Sequence, residues 1–351
     1  MKCTQLTFAR QYRGYTQTEL AKAVEGLSQS NLSKFEKGLG NLSDSVLSRI
    51  MNLLGFPIGF LDLDIDNTVT CRHYRKKASI RVSDRDRIDR FVALCAYCFD
   101  WLTDAVEIPE FKFKYMDLEN GITPEEAALY VRKQFRLGLK PIENICNLLE
   151  SNGVSLFFWN CPYEEFDGVS LISDRGNHLV VVNKNMSNDR IRYSLAHELG
   201  HIIMHQSYDI FVPESRDKED EANRFAAELL MPADGIKHSL DGLKLKDAKT
   251  LKQYWLTSMY SILLRAKKLG KIDDRRFISQ RTEMSRYGWL KKEPVEVFLD
   301  EPVVIRKAYE LVTKGLNYDN SQMAQTMKLP LDIIKDVFDF EQNVIYLKRR
   351  V

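Results

Sequence analysis

Nowhere in the 351 residues does an apolar run approach the roughly 20 needed to cross a membrane. The opening stretch, Met1 to Gly14, lacks the apolar core of a secretion signal. Net charge is only +2, so a surface that binds nucleic acid has to be local rather than a property of the whole chain. Cysteine is sparse and scattered, with six residues at positions 3, 71, 95, 98, 146 and 161. Only Cys95 and Cys98 form a CxxC, and no second pair exists to complete a four-cysteine zinc site. Aromatic and leucine neighbours mark those two as buried thiols on a helix. A reducing cytoplasm is the compartment these absences predict. Internal repeats and low-complexity segments are missing as well. What remains is 44% hydrophobic and 28% charged, the composition of an ordinary globular protein long enough for two or three domains.

The pattern along the chain predicts an α+β protein with its mixed part in the middle. Residues 1–63 read as short helices closing at "LLGFPIGFLDL". A basic stretch from Cys71 to Arg87 is too charged for core and reads as a linker into a helix over about 84–104. Thr123, Pro124 and Glu126 are the N-cap, first and third positions of another helix, and a further one is expected over about 141–151. "VSLFFW" and "HLVVVN" are rich in β-branched and aromatic residues and predict buried strands. Helical patterns follow over 187–205 and 217–230, and most of the last 110 or so residues are helical.

Residues 15–38 have the layout of a helix-turn-helix. Thr16 caps a helix whose Leu20, Ala21 and Val24 share one face; Gly26 permits a sharp turn; Ser28 caps a second helix with Leu32 and Phe35 facing in. Gln29, Ser30, Asn31, Ser33 and Lys34 are left pointing outward. Glutamine and asparagine can pair with adenine edges, and serine and lysine suit phosphate or guanine.

The segment "SLAHELGHIIMHQ" (194–206) concentrates three of the six histidines. His197 and His201 are four residues apart, which on a helix places two imidazoles nearly in line, about 40° round the axis. Glu198 lies about 100° from His197, badly placed to ligate and well placed to take a proton from water at the ion. Ser207 occupies the position where a metzincin would have its third histidine, so that class is excluded. A carboxylate on a following helix is the other source. Within 218–232, Glu219, Ala222, Asn223, Ala226 and Leu230 form one stripe whose small residues allow close helix packing. Glu219 is therefore the expected third ligand, and Asn223 could hydrogen-bond a ligand imidazole from one turn further on. Glu221, about 160° from Asn223, is expected to face solvent. His205 extends the histidine stripe as a support for a ligand, an oxyanion donor or plain helix surface.

Two resemblances draw these observations together. Gln17, Leu20, Ala21, the run from Ser28 to Ser33, and Glu36 followed by Gly38 resemble the Xre/Cro-type DNA-binding domain. Between Ala21 and Ser28 there is one residue more than in its commonest form. "LAHELGHIIMH" and "EDEANRFAAELLMP" resemble the ImmA/IrrE family of metallopeptidases, and "FDGVSLIS" with "HLVVVNKN" is similar to the strands preceding its active-site helix. The resemblance divides the chain into a DNA-binding domain (1–63), a basic and helical connector (64–121), a gluzincin-like metallopeptidase domain (122–240) and a helical carboxy-terminal region (241–351). It implies Zn²⁺ held by His197, His201 and Glu219, with Glu198 as catalytic base and Asn223 and His205 behind the ligands. It also implies operator DNA contacted by Gln17, Gln29, Ser30, Asn31, Ser33 and Lys34. The implied substrate is a regulatory protein such as a repressor, held against an edge strand within 178–184. A homodimer is expected from the paired half-sites such domains read. A transcription factor whose peptidase-like unit senses an effector or the metal without hydrolysis is the alternative. The segment 319–338 resembles nothing assignable.

Overall fold

The computed structural model describes residues 2–65, 81–207 and 212–338. Four helices open the chain: α1 (Lys2–Tyr12), α2 (Gln17–Ala23), α3 (Gln29–Glu36) and α4 (Asp44–Leu54), followed by a 3-10 turn at Ile58–Asp62. Thr16 caps α2 in a capping box with Glu19, and Ser28 caps α3 through the amide of Asn31. Gly26, at φ +78°, makes the turn between them in the left-handed region that glycine tolerates. Of the basic stretch expected as a linker, residues 71–80 lie outside the described residues, and residues 82–87 already belong to the next helix, α5 (Val82–Thr103).

The middle of the chain runs α6 (Pro124–Gln134), α7 (Ile145–Glu150), β1 (Val154–Trp159), β2 (Gly168–Ile172), β3 (His178–Asn183), α8 (Asn188–His205) and α9 (Lys218–Leu230). The helix expected from about 141 starts only at Ile145. The guanidinium of Arg192, fully buried, donates to the carbonyls of Ile142 and Glu143 and so draws that backbone away from helical bonding. The sheet has the order β1-β3-β2, with β1 parallel and β2 antiparallel to β3. After it come α10 (Ala233–Ile236), α11 (Leu245–Trp255), α12 (Met259–Lys268), α13 (Asp274–Arg286), α14 (Val304–Leu316), α15 (Asn320–Met327) and α16 (Leu331–Val337). The fold is α+β, helical at both ends and mixed between.

Strand alternation sorts the core into two halves, one on each face of the sheet. Val154, Leu156, Val180 and Val182 face α6 to α9 and α11 to α13. Phe157, Trp159, Leu179 and Val181 face α5, and that core continues without a break into the helix-turn-helix and into α14 to α16. Phe91 of α5 stacks on Trp159 with ring centroids 4.1 Å apart. Gln11 of α1 binds Arg90 and Asp86 of α5, and Arg13 makes a two-bond ion pair with Asp332 of α16. At its far end α5 is fastened to the β2–β3 turn, where Asp100 accepts from Ser173 and Asn177. The segment 319–338, unassigned from sequence, thus braces the amino-terminal helices. Cys95 and Cys98 of α5 are fully buried, and burial pushes both thiols well above the usual range, so neither is a thiolate at neutral pH.

His178, at the start of β3, is buried against Phe111 and bonded through Nε2 to the Tyr115 hydroxyl at 2.9 Å. Its Nδ1 is buried without a partner, and burial pushes the ring's pKa down to about 4. Because the folded value lies below the unfolded one, the neutral ring's contribution is complete above about pH 6.5 and is lost as pH falls through about 4. Urea unfolding at pH 7 and at pH 4 is therefore expected to show a loss larger by about 3 kcal/mol in the wild type than in His178→Phe. Equal losses in the two proteins exclude His178 as the source.

Candidate metal centre

α8 and α9 are the two most intimately packed helices of the middle region, and small residues are the reason. A Cβ on Gly200 would lie 3.0 Å from the Phe225 ring, so any larger residue there requires the ring to give way by a few tenths of an ångström. Ala222 and Ala226 are fully buried on the facing side. Arg224 binds Glu125 of α6 through two nitrogens, which holds α9 from its other flank.

This approach brings three side chains to one point. His197 Nε2 and His201 Nε2 are 3.0 Å apart, and Glu219 places its oxygens 3.5 Å from the first and 3.4 Å from the second. A tetrahedral zinc ion with N and O ligands at about 2.0–2.1 Å separates neighbouring ligand atoms by roughly 3.3 Å. The observed spacings match that figure. Two imidazole nitrogens directed at each other repel when both carry lone pairs, and a cation between them satisfies both. Glu219 Oε2 is buried without a hydrogen bond, as fits an atom reserved for an ion. Although burial acts the other way, the adjacent His197 and His201 rings hold the Glu219 carboxyl well below the usual range. The Glu219 side chain is one-third exposed, so the centre is open on that side. Among the described residues this is the single cluster of histidine, cysteine and carboxylate groups able to hold a metal.

Glu198 lies beside the cluster and is buried. Burial pushes its carboxyl up to about 7, against the pull of the neighbouring His197. The Ser170 hydroxyl of β2 donates to Glu198 Oε2 at 2.6 Å, and Gln206 Nε2 donates to that hydroxyl at 2.7 Å and to the Ser170 carbonyl at 3.2 Å. Neither Ser170 nor Gln206 stood out in the sequence, because a lone polar residue in an apolar strand and one past a helix end carry no spacing signal.

Three expectations need correction. The strand within 178–184 is not an edge: β3 is paired on both sides, and the edge beside α8 is β2, which carries Ser170 and whose Gly168 would bring an added Cβ within 3.8 Å of the Glu198 side chain. Glu221 does not face solvent but is buried and accepts from His205 at 2.9 Å. Glu221 stands one turn before the fully buried Phe225 and next to the fully buried Ala222, on the packed face of α9, and a wheel centred on the half-buried Asn223 misses this. Asn223 takes its bond from the Tyr193 hydroxyl at 3.3 Å rather than from a ligand imidazole, and His197 Nδ1 is left without a hydrogen bond. His205 is buried with Nδ1 2.9 Å from His201 Nδ1, so it is not helix surface. Tyr193 and Asn223, one turn from the cluster on either helix, line a cavity of about 1090 Å³ with Met186, Leu264 and Trp289.

In the amino-terminal unit, Gln29, Ser30, Asn31 and Lys34 are exposed on α3, and Ser33 is half-buried. Gln17 accepts from Gln29 at 3.0 Å and donates to Glu36 at 2.7 Å, and Glu36 is paired with Arg10. The bonds tie α2 to α3 and leave the outward row of α3 open.

Residues 150–267 match the peptidase M78 family, described as the IrrE N-terminal-like domain, and residues 8–61 match the helix-turn-helix family. The chain carries an IrrE-like domain behind a helix-turn-helix domain. The IrrE-like match starts at the end of α7 and closes within α12, so it includes the sheet, α8 and α9. No curated protein matches the chain. Together the two domains make this a transcription regulator with a metallopeptidase-type unit. Among the described residues no helix is long and apolar enough to cross a membrane.

The fit at Gly200 has a measurable consequence. Gly200→Val is expected to destabilise the chain by about 1–3 kcal/mol through overpacking against Phe225, and to be less stable than Gly200→Ala, whose single methyl is offset by better helix propensity. Urea unfolding checks the order; a valine variant as stable as wild type excludes the tight contact.

Proposed function

We propose that the chain is a DNA-binding regulator whose IrrE-like domain is a zinc-dependent endopeptidase acting on a regulatory protein, of the repressor or antitoxin kind. The observation that carries the reading is the convergence of His197, His201 and Glu219 within ligand distance of one another, beside a buried Glu198 already oriented by Ser170. His197, His201 and Glu219 hold the ion, and manganese or iron could occupy the same donors. Zinc bound there supplies a Lewis acid for a peptide carbonyl and lowers the pKa of water. Glu198 accepts the proton of the attacking water at the oxygen not taken by Ser170 and returns it to the leaving amine. The β2 edge offers backbone groups to an extended substrate segment. A protein substrate follows from the DNA-binding domain on the same chain, since cleavage of a repressor turns a signal into transcription. Exposed Gln29, Ser30, Asn31 and Lys34, with Ser33 and Gln17 at the margin, contact the operator, and paired half-sites call for a homodimer.

A second reading, a non-hydrolytic sensor, draws support from the core shared by the sheet and the helix-turn-helix, through which occupancy of the metal centre could bias DNA binding. One experiment separates the two. Glu198→Gln is expected to keep one equivalent of zinc and its DNA affinity while losing regulation, whereas His197→Ala loses the zinc. Regulation unchanged in Glu198→Gln favours the sensor, and zinc retained in His197→Ala excludes the ligand set.

On the DNA side, Asn31→Ala is expected to weaken binding to a duplex selected from a random pool by about 1–3 kcal/mol relative to unselected DNA. An unchanged ratio removes Asn31 from base recognition.

A further inference from the structure

The hydrogen bonds of the metal centre continue away from the ligands into the α8–α9 interface. His201 Nδ1 is 2.9 Å from His205 Nδ1, and His205 Nε2 is 2.9 Å from Glu221 Oε2. Glu221 Oε1 accepts from Arg216 Nε at 2.7 Å, and Arg216 reaches on to Glu119 at 2.7 Å. The His205 side chain is 1% exposed and that of Glu221 is 12% exposed, so bulk water does not replace these partners. The two ligand histidines differ in this respect: His197 Nδ1 is buried with no hydrogen bond at all. A ring that binds a metal through one nitrogen ordinarily donates from the other, and that bond sets its orientation.

We infer that Glu221, acting through His205 and held by Arg216, is a positioning residue that sets the ring of His201 for the metal. The inference rests on the zinc reading of the His197, His201 and Glu219 cluster. The proton positions follow from the geometry. His201 turns Nε2 towards the shared point, so its ring proton sits on Nδ1. That N–H donates to His205 Nδ1, which must offer a lone pair, and the His205 proton therefore sits on Nε2. There it donates to Glu221 Oε2, while Arg216 occupies the other carboxylate oxygen. A doubly protonated His205 would set two N–H groups against each other at 2.9 Å. The carboxylate thus selects the tautomer of His205, and His205 in turn selects that of His201. Glu221 lies two residues beyond Glu219 on α9. The same helix accordingly supplies a ligand and, through a partner on α8, the orientation of another ligand. A bridge that merely ties the end of α8 to α9 would contribute to stability and leave metal binding alone.

Zinc dissociation constants of the full chain, measured by competition with a chromophoric chelator, distinguish the two roles when paired with thermal unfolding of the metal-free proteins. Glu221→Gln keeps the shape of the side chain and removes its charge. It is expected to weaken zinc binding by roughly 10- to 100-fold at unchanged one-to-one stoichiometry, with metal-free unfolding close to wild type. His205→Phe is expected to do the same or more, and Arg216→Lys, which keeps a cation beside Glu221, to restore most of the affinity that Arg216→Met loses. A folded Glu221→Gln protein that binds zinc as tightly as wild type overturns the inference, as does a loss confined to metal-free stability. Should the wild-type chain itself take up no zinc, the zinc reading falls and this inference with it. Tight zinc binding by both wild type and Glu221→Gln removes the inference alone.

Discussion

The contact between Gly200 and Phe225 is the constraint on which the metal centre depends. Two histidines four residues apart are set by the α-helix itself, but the third donor belongs to a different helix and arrives only if the two backbones come close. Glycine in α8 and alanines in α9 permit that approach, and the Arg224–Glu125 pair presses α9 from behind. The cluster is therefore a property of packing as much as of donor identity. The polar interior of this interface is correspondingly well paired: Glu198 with Ser170, Ser170 with Gln206, His201 with His205 and His205 with Glu221. Unpaired polar atoms in so dry a region would each cost on the order of 1–3 kcal/mol. Those left in this region are His197 Nδ1 and Glu219 Oε2, on two of the proposed ligands, and Gln206 Oε1.

α5 gives the rest of the molecule its arrangement. Its 22 residues span about 33 Å at 1.5 Å per residue. One side of this length meets the sheet at Trp159 and Phe157, another meets α1 through Gln11, and α14 to α16 close over what remains. Its far end holds the turn between β2 and β3 through Asp100, and β2 carries the serine that orients Glu198. An unbroken series of packed groups thus runs from the helix-turn-helix to Glu198, beside the histidine–carboxylate cluster.

Much of this was legible in the sequence, for reasons that differ between elements. The spacing of His197 and His201, and the phase of Glu219 against Ala222 and Ala226, are local consequences of helical geometry, and the structure brings those three side chains together. Thr16, Ser28 and Thr123 cap helices where a short polar side chain preceded an apolar period. Strand residues alternating between the two cores read only as continuous apolar runs, because both faces of the sheet are covered. What stayed hidden depends on crossings and partners. Glu221 faces inward because the packed face of α9 centres on Phe225 rather than on the half-buried Asn223, and its partner, His205, is 16 residues earlier in sequence. The start of α7 moves because a guanidinium 50 residues later takes its carbonyls. That β2 rather than β3 forms the edge is a matter of sheet order, which strand composition does not encode. The membership of α15 and α16 in the amino-terminal core rests on pairs such as Arg13 with Asp332, 319 residues apart.

The shared core has a bearing on how such a protein meets its operator. A reading head on a slack tether tolerates any distance between two half-sites, because the tether absorbs the difference. Here the outward row of α3 is fastened, through α1, α5 and the carboxy-terminal brace, to a body of more than two hundred residues. In the homodimer proposed above, the gap between the two α3 helices would be dictated by the whole subunit. Base-pair spacing on the DNA would then be a ruler for the conformation of the IrrE-like half.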